Sequence, residues 1–291
     1  KQVTTGTRFK RNYTQLFPTM YIQYNANKNN SFVLNYGRRI ERPNYEDLNP
    51  FIMFIDKYTF EQGNPNLQPQ FSHNIELTHT FKGFLNTTLN YTRTTDMIND
   101  ILEQNPDSTE TFIRKQNIAR QEQFGIAISA GGQIKKWWTA NVYTNIFNNR
   151  FKGILNGDNV SIGATTALFN ISNQFRFAKT WGAELSGFYR TPGVDGVFKI
   201  QGLGTMNAAF SKQVMKGKGT FRLSIRDIFW SQQAKGTIKY SNVDAAFQQR
   251  RDSRLVSLGF TYRFNKGKTG NVPKRKTGAA DDEKNRVNTG E

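Results

Sequence analysis

Cysteine is absent from the 291 residues, which removes disulfide frameworks and cysteine-based metal sites and leaves backbone pairing and packing to hold the fold. Histidine is almost absent too. His73 and His79 lie six residues apart in one strand-like segment, about 20 Å along a strand rising ~3.3 Å per residue. That is too far to share a metal, and both read as ordinary strand residues. No run approaches the roughly 18 consecutive apolar residues of a membrane helix; FVLNY and FGIAISA, the richest, are soon interrupted. The opening Lys1-Gln2-Val3-Thr4-Thr5-Gly6 lacks the apolar stretch of a signal peptide, so the expectation for an exported protein is a true N-terminus further upstream. Catalytic constellations are missing as well. Glu103, Asp107 and Glu110 sit in loop-like sequence, neither His has a neighbour pattern that suggests a Ser/His or Asp/His set, and Gly202-Leu203-Gly204 lacks the third glycine of a dinucleotide loop. No catalytic residue, metal or cofactor is expected, and the chain does not read as an enzyme.

What is present favours strands. Aromatics make up 13% and glycine counts 24, while apolar residues reach only 36% with a mean hydropathy of -0.65, low for a soluble core of this length. The net charge of +18 raises nucleic acid as a partner, because basic proteins gain affinity by neutralising phosphates. Such a partner needs a cluster, and these cations are scattered: Arg93, Arg114, Lys135, Lys136, Arg150, Arg176, Arg190, Arg222 and Arg226 fall in separate segments, and residues 265–291 contribute a net of only +3. No nucleic acid is expected. Dispersed cations fit an aqueous lumen or an anionic lipid surface.

Segment after segment shows apolar residues on one parity and small or polar ones on the other, the period of a strand with one apolar face. Val256, Leu258, Phe260, Tyr262 and Phe264 alternate with Ser257, Gly259, Thr261 and Arg263; Phe124, Ile126, Ile128 and Ala130 alternate with Gly125, Ala127, Ser129 and Gly131. A soluble sandwich alternates in the same way. The links discriminate. Short turns at 27–30, 82–83, 135–136, 179–180 and 215–218 alternate with long connections near 41–70, 97–113, 151–158, 191–196 and 231–250, the pattern of an outer-membrane barrel with one tight rim and one rim of external loops. Aromatics beside the tight turns (Phe84, Trp137, Trp138, Trp181, Phe221, Phe264) suit an interfacial girdle. Strands are expected at 16–26, 31–39, 71–82, 84–96, 114–134, 137–150, 159–178, 181–190, 197–214, 219–230 and 250–264, with a further piece possible at 1–12. The fold class is all-β, a transmembrane antiparallel barrel. Several strands exceed the ~9–11 residues that cross the hydrocarbon, so ribbons should project beyond it. Phe221, Leu223 and Ile225 share a parity that then meets Asp227, which implies a bulge or an exit from the membrane there. Eleven is odd, and single-chain bacterial barrels have even counts.

The stretch Arg38-Arg39-Ile40-Glu41-Arg42-Pro43-Asn44-Tyr45-Glu46-Asp47-Leu48-Asn49-Pro50-Phe51, followed by Gly63-Asn64-Pro65-Asn66-Leu67-Gln68-Pro69, is the most specific local signal. Its prolines fix φ and bias the preceding residues, giving a structured loop. Together with Asp227-Ile228-Phe229, Arg251-Asp252-Ser253-Arg254 and the final strand, it resembles the C-terminal half of the barrel in TonB-dependent receptors, within the outer-membrane β-barrel protein family. The resemblance covers nearly the whole chain. It implies a 22-stranded pore around an N-terminal plug, energised by the TonB system through that missing plug. The loop residues Arg39, Arg42, Pro43, Tyr45, Asp47, Asn49, Pro50, Gly63, Asn64, Pro65 and Pro69 are read first as an architectural cap on the rim and second as a ligand contact. Ser257, Gly259, Tyr262 and Phe264 resemble the β-signal read by the barrel assembly machinery.

The expected division is barrel over 1–264 and a polar, disordered periplasmic tail over 265–291. Expected partners are outer-membrane lipid and lipopolysaccharide, the assembly machinery, the TonB system, and a surface lipoprotein if the barrel serves a surface complex. The expected function is import of an unidentified ligand; the alternatives are a non-transporting scaffold of the same build and a soluble basic sandwich.

Overall fold

The computed structural model describes residues 14–104, 109–155, 158–240 and 243–264. In chain order the strands are β1 (Thr19–Asn27), β2 (Asn30–Glu41), β3 (Ile52–Asp56), β4 (Thr59–Gln62), β5 (Gln70–Phe81), β6 (Leu85–Gln104), β7 (Thr111–Lys135), β8 (Trp138–Leu155) and β9 (Asp158–Phe177). Then follow β10 (Trp181–Arg190), β11 (Gly193–Asp195), β12 (Phe198–Ile200), β13 (Leu203–Val214), β14 (Gly219–Arg226), β15 (Gln233–Tyr240), β16 (Val243–Arg250) and β17 (Leu255–Tyr262). Alternation of apolar and polar side chains leaves each strand one face for hydrocarbon and one for water, so the sheet is the only element this pattern satisfies.

Eleven strands form one antiparallel path, β1-β2-β5-β6-β7-β8-β9-β10-β13-β14-β17, matching the number expected from the sequence. The register carries the apolar parity across the path. Val256 faces Ile225, Leu258 faces Leu223, and Phe260 faces Phe221; on the other parity Ser257 faces Ser224 and Gly259 faces Arg222. Leu258 is 76% exposed. Exposure of that kind is stable only against lipid, where burial of the row removes it from water. Neither β1 nor β17 has a partner on its outer side among the described residues.

Three boundaries differ from the sequence reading. The segment 197–214 is two strands, β12 and β13, in different sheets; the last strand starts at Leu255; and the strand at 219–230 ends at Arg226. Asp227 adopts φ 45°, so the chain turns out of the strand before the carboxylate, which settles the parity conflict as an exit.

The link at 151–158 is not a long connection, because β8 and β9 run on to pair Leu155 with Asp158. The 97–113 link likewise shortens to the residues between Gln104 and Thr111. One rim is nevertheless tight and the other extended, since β6 to β9 hold 20, 25, 18 and 20 residues. At ~3.3 Å per residue and a tilt near 40°, β7 rises about 60 Å against a hydrocarbon band of about 25 Å. The surplus is extended by a second sheet, β11-β12-β15-β16, of which β11, β15 and β16 come from segments expected to be loops and β12 from the start of the strand expected at 197–214.

Residues 1–13 and 265–291, on which the possible extra strand and the tail were placed, lie outside the described residues.

Candidate pore wall and mouth

The tight rim is closed by left-handed turns. Lys82 and Gly83 (φ 48° and 71°) reverse the chain between β5 and β6, and Ala178 and Lys179 (φ 47° and 56°) do so between β9 and β10. Aromatic rings collect beside them. Trp138 packs on Trp137 and Phe175 at centroid distances of 6.2 and 6.3 Å. Trp138 Nε1 donates to Asn173 Oδ1 at 3.0 Å, which satisfies the indole at the membrane boundary. Lys212 Nζ sits 4.0 Å over the Trp181 ring, and Phe221 meets Phe260 at 4.6 Å. The aromatic residues expected beside the tight turns thus sit in local groups along that rim.

The polar parity forms a hollow wall. Asn86, Ser129, Asn141, Tyr143, Asn170, Ser172, Ser186, Phe188 and Asn207 line a cavity of about 480 Å³. Its amides and hydroxyls, which both donate and accept, stand among apolar lining from Phe84, Ala130, Val142 and Ile171. Glu184 and Arg222 cross it as a fork, with Nη1 to Oε1 at 2.8 Å and Nη2 to Oε2 at 2.6 Å. Between them β13 contributes only Ala209 and Ser211 on that side, short enough for the two long chains to meet above it. His73 and His79 face the other way, each with one partner: Tyr36 Oη at 2.9 Å from His73 Nδ1 and Asn30 Oδ1 at 2.9 Å from His79 Nε2.

Above the membrane, the proline-rich stretch is a knot against β7. Asn44 N donates to Asp47 Oδ2 and Asn64 N to the Asp47 carbonyl, at 3.1 and 2.6 Å. Asn49 Oδ1 accepts from Phe51 N. Asn64 Nδ2 reaches the Lys115 carbonyl at 3.1 Å, and Lys115 Nζ pairs with Asp47 Oδ1 at 3.0 Å. Leu67 is fully buried, and Pro43 and Pro69 are buried. A methyl at Gly63 would collide with the Asn49 and Glu46 carbonyls, so only glycine fits. Asp47, Asn49, Gly63 and Asn64 are therefore brought together, with Pro50 accepting from Gln62 Nε2. Tyr45 and Arg42 point outward at the loop surface, as does the Pro65 turn's neighbour Asn66. Arg39 belongs elsewhere, on the wall beside Thr19, Tyr21 and Glu76. Near the knot, burial raises the Asp100 carboxyl above its usual value against the pull of Lys115. Burial disfavours the Lys115 charge, but the bond to Asp47 and the surrounding acids leave it raised overall.

The knot also orders a hairpin. β4 pairs in parallel with β7, which lifts β3 into water with Phe51, Ile52, Met53, Phe54 and Ile55 all exposed.

The mouth sheet was missed because β11, β15 and β16 read as connections and β12 as the start of a membrane strand. The alternation of Ala234, Gly236 and Ile238 with Lys235, Thr237 and Lys239 was the available signal. Its apolar face packs on the projecting ribbons, where Ile101, Ile118, Phe151, Val197 and Ile238 make a dry core with Phe198 and Ala245 at its edge. Phe151 shares its parity with Asn149, Phe147 and Tyr143, so the sheet lies on the lumen side of the ribbons.

Beside it, Asp227 is 1% exposed. Burial alone would raise its carboxyl, but donors from Ser253 Oγ, Ser231 N, Ser231 Oγ and Gln232 N outweigh burial and lower it to about 2. Arg250 and Arg254 lie over Trp230 at 3.6 and 5.6 Å. The final strand's Ser257, Gly259 and Tyr262 lie against Ser224, Arg222 and Gly219, and Tyr262 meets Phe264 at 4.6 Å.

No curated protein matches the sequence. Solved structures do match the fold. The ferric yersiniabactin uptake receptor of Yersinia pestis aligns with a TM-score of 0.56 at 12% identity, over 86% of this chain and 38% of the receptor. The ferric-catecholate import receptor Fiu of E. coli K12 aligns at 0.50 and 16%, over 84% of this chain and 34% of its own length. The chain thus spans little more than a third of these receptors, and the likeness is one of fold. The pattern that defines the outer membrane protein beta-barrel family matches residues 1–262; with its apolar outer face, aromatic girdle and polar hollow wall, the chain belongs to that family.

Proposed function

We propose that the chain is the C-terminal half of a 22-stranded barrel closed around a plug, and that the complete protein imports a ligand with energy from the TonB system. The observation that carries this reading is the open eleven-stranded sheet with a polar concave wall. Unpaired strand edges in hydrocarbon cost several kcal/mol per group, so β1 and β17 require further strands, and doubling eleven gives an even barrel of receptor size. An amide-lined lumen suits a water-filled passage that a plug must stop. The import receptors of like fold support transport over enzymatic chemistry.

In this reading Ser257, Gly259, Tyr262 and Phe264 are the signal for the assembly machinery, and residues 265–291 lie in the periplasm. The bond from Arg263 N to the Lys218 carbonyl at 2.8 Å holds the strand's end at the tight rim, which supports that side for the tail. The loop residues from Arg42 to Pro69 serve as an architectural cap, because Asn64 and Asp47 spend their polar groups on the knot and on β7 and Gly63 leaves room for it to close.

One observation favours a second role. The exposed apolar strand β3 stands well above the lipid, so a non-transporting scaffold or a surface lipoprotein partner would give it cover. Energy-dependent uptake tests the choice. Cells expressing the complete protein are compared with and without the TonB gene, by accumulation of medium components that bind the purified protein. Import predicts accumulation that disappears without TonB; equal accumulation in both strains refutes it.

A further inference from the structure

The mouth sheet has a second face that buries Val194 on β11 but leaves Lys199, Gln201, Thr237 and Lys239 exposed. Since Phe198, Ile238 and Ala245 face the dry core, the alternate residues of β12, β15 and β16 face the opposite way, toward the lumen axis. Four of them are Lys199, Lys235, Lys239 and Arg250, interleaved with Gln201, Thr237 and Gln248. Lys199 lies opposite Thr237, two residues along from Lys235, so these cations are diagonal neighbours about 7–8 Å apart. Below them, Arg190 and Arg226 continue the same side of β10 and β14.

Of the carboxylates nearby, Glu184 is forked to Arg222, Asp227 is closed in its cage, Asp244 lies on this same face and is paired with Lys239 at 2.8 Å, and Asp195 pairs opposite Phe198 and so turns to the other face. Asp252 alone stands among Arg250, Arg251 and Arg254. With Lys239 offset by Asp244, the face still keeps Lys199 and Lys235 as adjacent like charges with Arg250 beyond them, which repel one another, and an arriving anion relieves that repulsion.

We propose that this face captures the ligand, and that the ligand is a soluble polyanion bearing several carboxylates or phosphates. The proposal rests on the import reading for its purpose but not for its test. Lipid headgroups are not the source of the anion, because the face turns away from the bilayer and stands above it on ribbons that outrun the hydrocarbon.

The test uses the complete protein in detergent and a fixed probe set: hexagalacturonate, its fully methyl-esterified form, citrate, inorganic phosphate and lipopolysaccharide micelles. Calorimetry at low and physiological salt should show at least one soluble anion binding, hexagalacturonate at least tenfold tighter than its ester, and an affinity that falls as salt rises. Lys199→Gln with Lys235→Gln should weaken anion binding about tenfold, whereas Lys199→Arg with Lys235→Arg should retain it; a heat-modifiable gel shift shows that both variants fold. Equal binding of acid and ester, an unaffected Gln double variant, or binding of lipopolysaccharide alone would overturn the proposal. Polyanion binding without TonB-dependent uptake would sink the import reading and leave this one standing, and uptake of an uncharged ligand would do the reverse.

Discussion

Arginine placed at Leu258 and at Gly259 should separate the two faces of the final strand by energy. Leu258 is four residues from Tyr262 at the tight rim, about 13 Å along the strand and about 10 Å in height at a tilt near 40°, close to the middle of a band about 25 Å tall. A guanidinium there costs about 2–4 kcal/mol. Gly259 lies on the lumen parity opposite Arg222, and a Cβ there meets only the Arg222 carbonyl, at 4.0 Å. Its arginine would extend into water beside a guanidinium already neutralised by Glu184, at a cost below about 1 kcal/mol. The complete barrel, refolded into lipid vesicles across a urea series, should therefore lose stability in Leu258→Arg by at least about 1 kcal/mol more than in Gly259→Arg. Equal losses, or a larger loss at Gly259, would show that the parity is assigned backwards.

Other sites give sharper local readouts. Asp227→Asn should destabilise the complete barrel by about 1–2 kcal/mol at pH 7, a figure discounted for solvent near the rim, because an amide cannot accept from all four donors. Its folded carboxyl is depressed to about 2, so the wild-type advantage is present above about pH 4 and fades as pH falls toward 2; an advantage that instead grew on acidification would contradict the cage. Gly63→Ala should unpick the knot without disturbing the membrane strands, seen as faster proteolysis of the 41–70 segment while the barrel still resists heat-free detergent; unchanged cleavage would remove the steric argument. Tyr262→Ala with Phe264→Ala should lower membrane insertion in cells severely while deletion of 266–291 leaves it nearly intact, and the opposite ranking would move the assembly signal into the tail.

The membrane wall was legible in the sequence because its chemistry repeats every two residues and lipid demands that repeat on every strand. The mouth was not, since the alternation of Ala234, Gly236 and Ile238 with Lys235, Thr237 and Lys239 sets mostly small side chains on its apolar parity, a weak local mark of the core that Ile238 and Ala245 share with Ile101 and Phe151. The Pro and Asn residues of the knot announced a fixed loop, but not that it leans on Lys115 and Asn117 about fifty positions away. Choice of a distant partner is a property of the assembled sheet. The Glu184–Arg222 fork lies between: parity places both on the lumen face, yet only the short side chains of β13 make the contact possible.

The dry core of the mouth draws on residues from 101 to 238, and every contributor lies on the far side of the membrane from the tight turns. It can close only after the hairpins that carry it have crossed. Until then Phe151, Ile101 and Ile238 travel as bare apolar surface through the periplasm, where they invite aggregation or a holding chaperone. Pulse-labelled hydrogen exchange during refolding should accordingly protect the girdle ends of β7 to β10 before the amides around Phe151. The mouth would then be the last part of the wall to acquire a shape, and the part whose composition can drift without disturbing how the rest enters the bilayer.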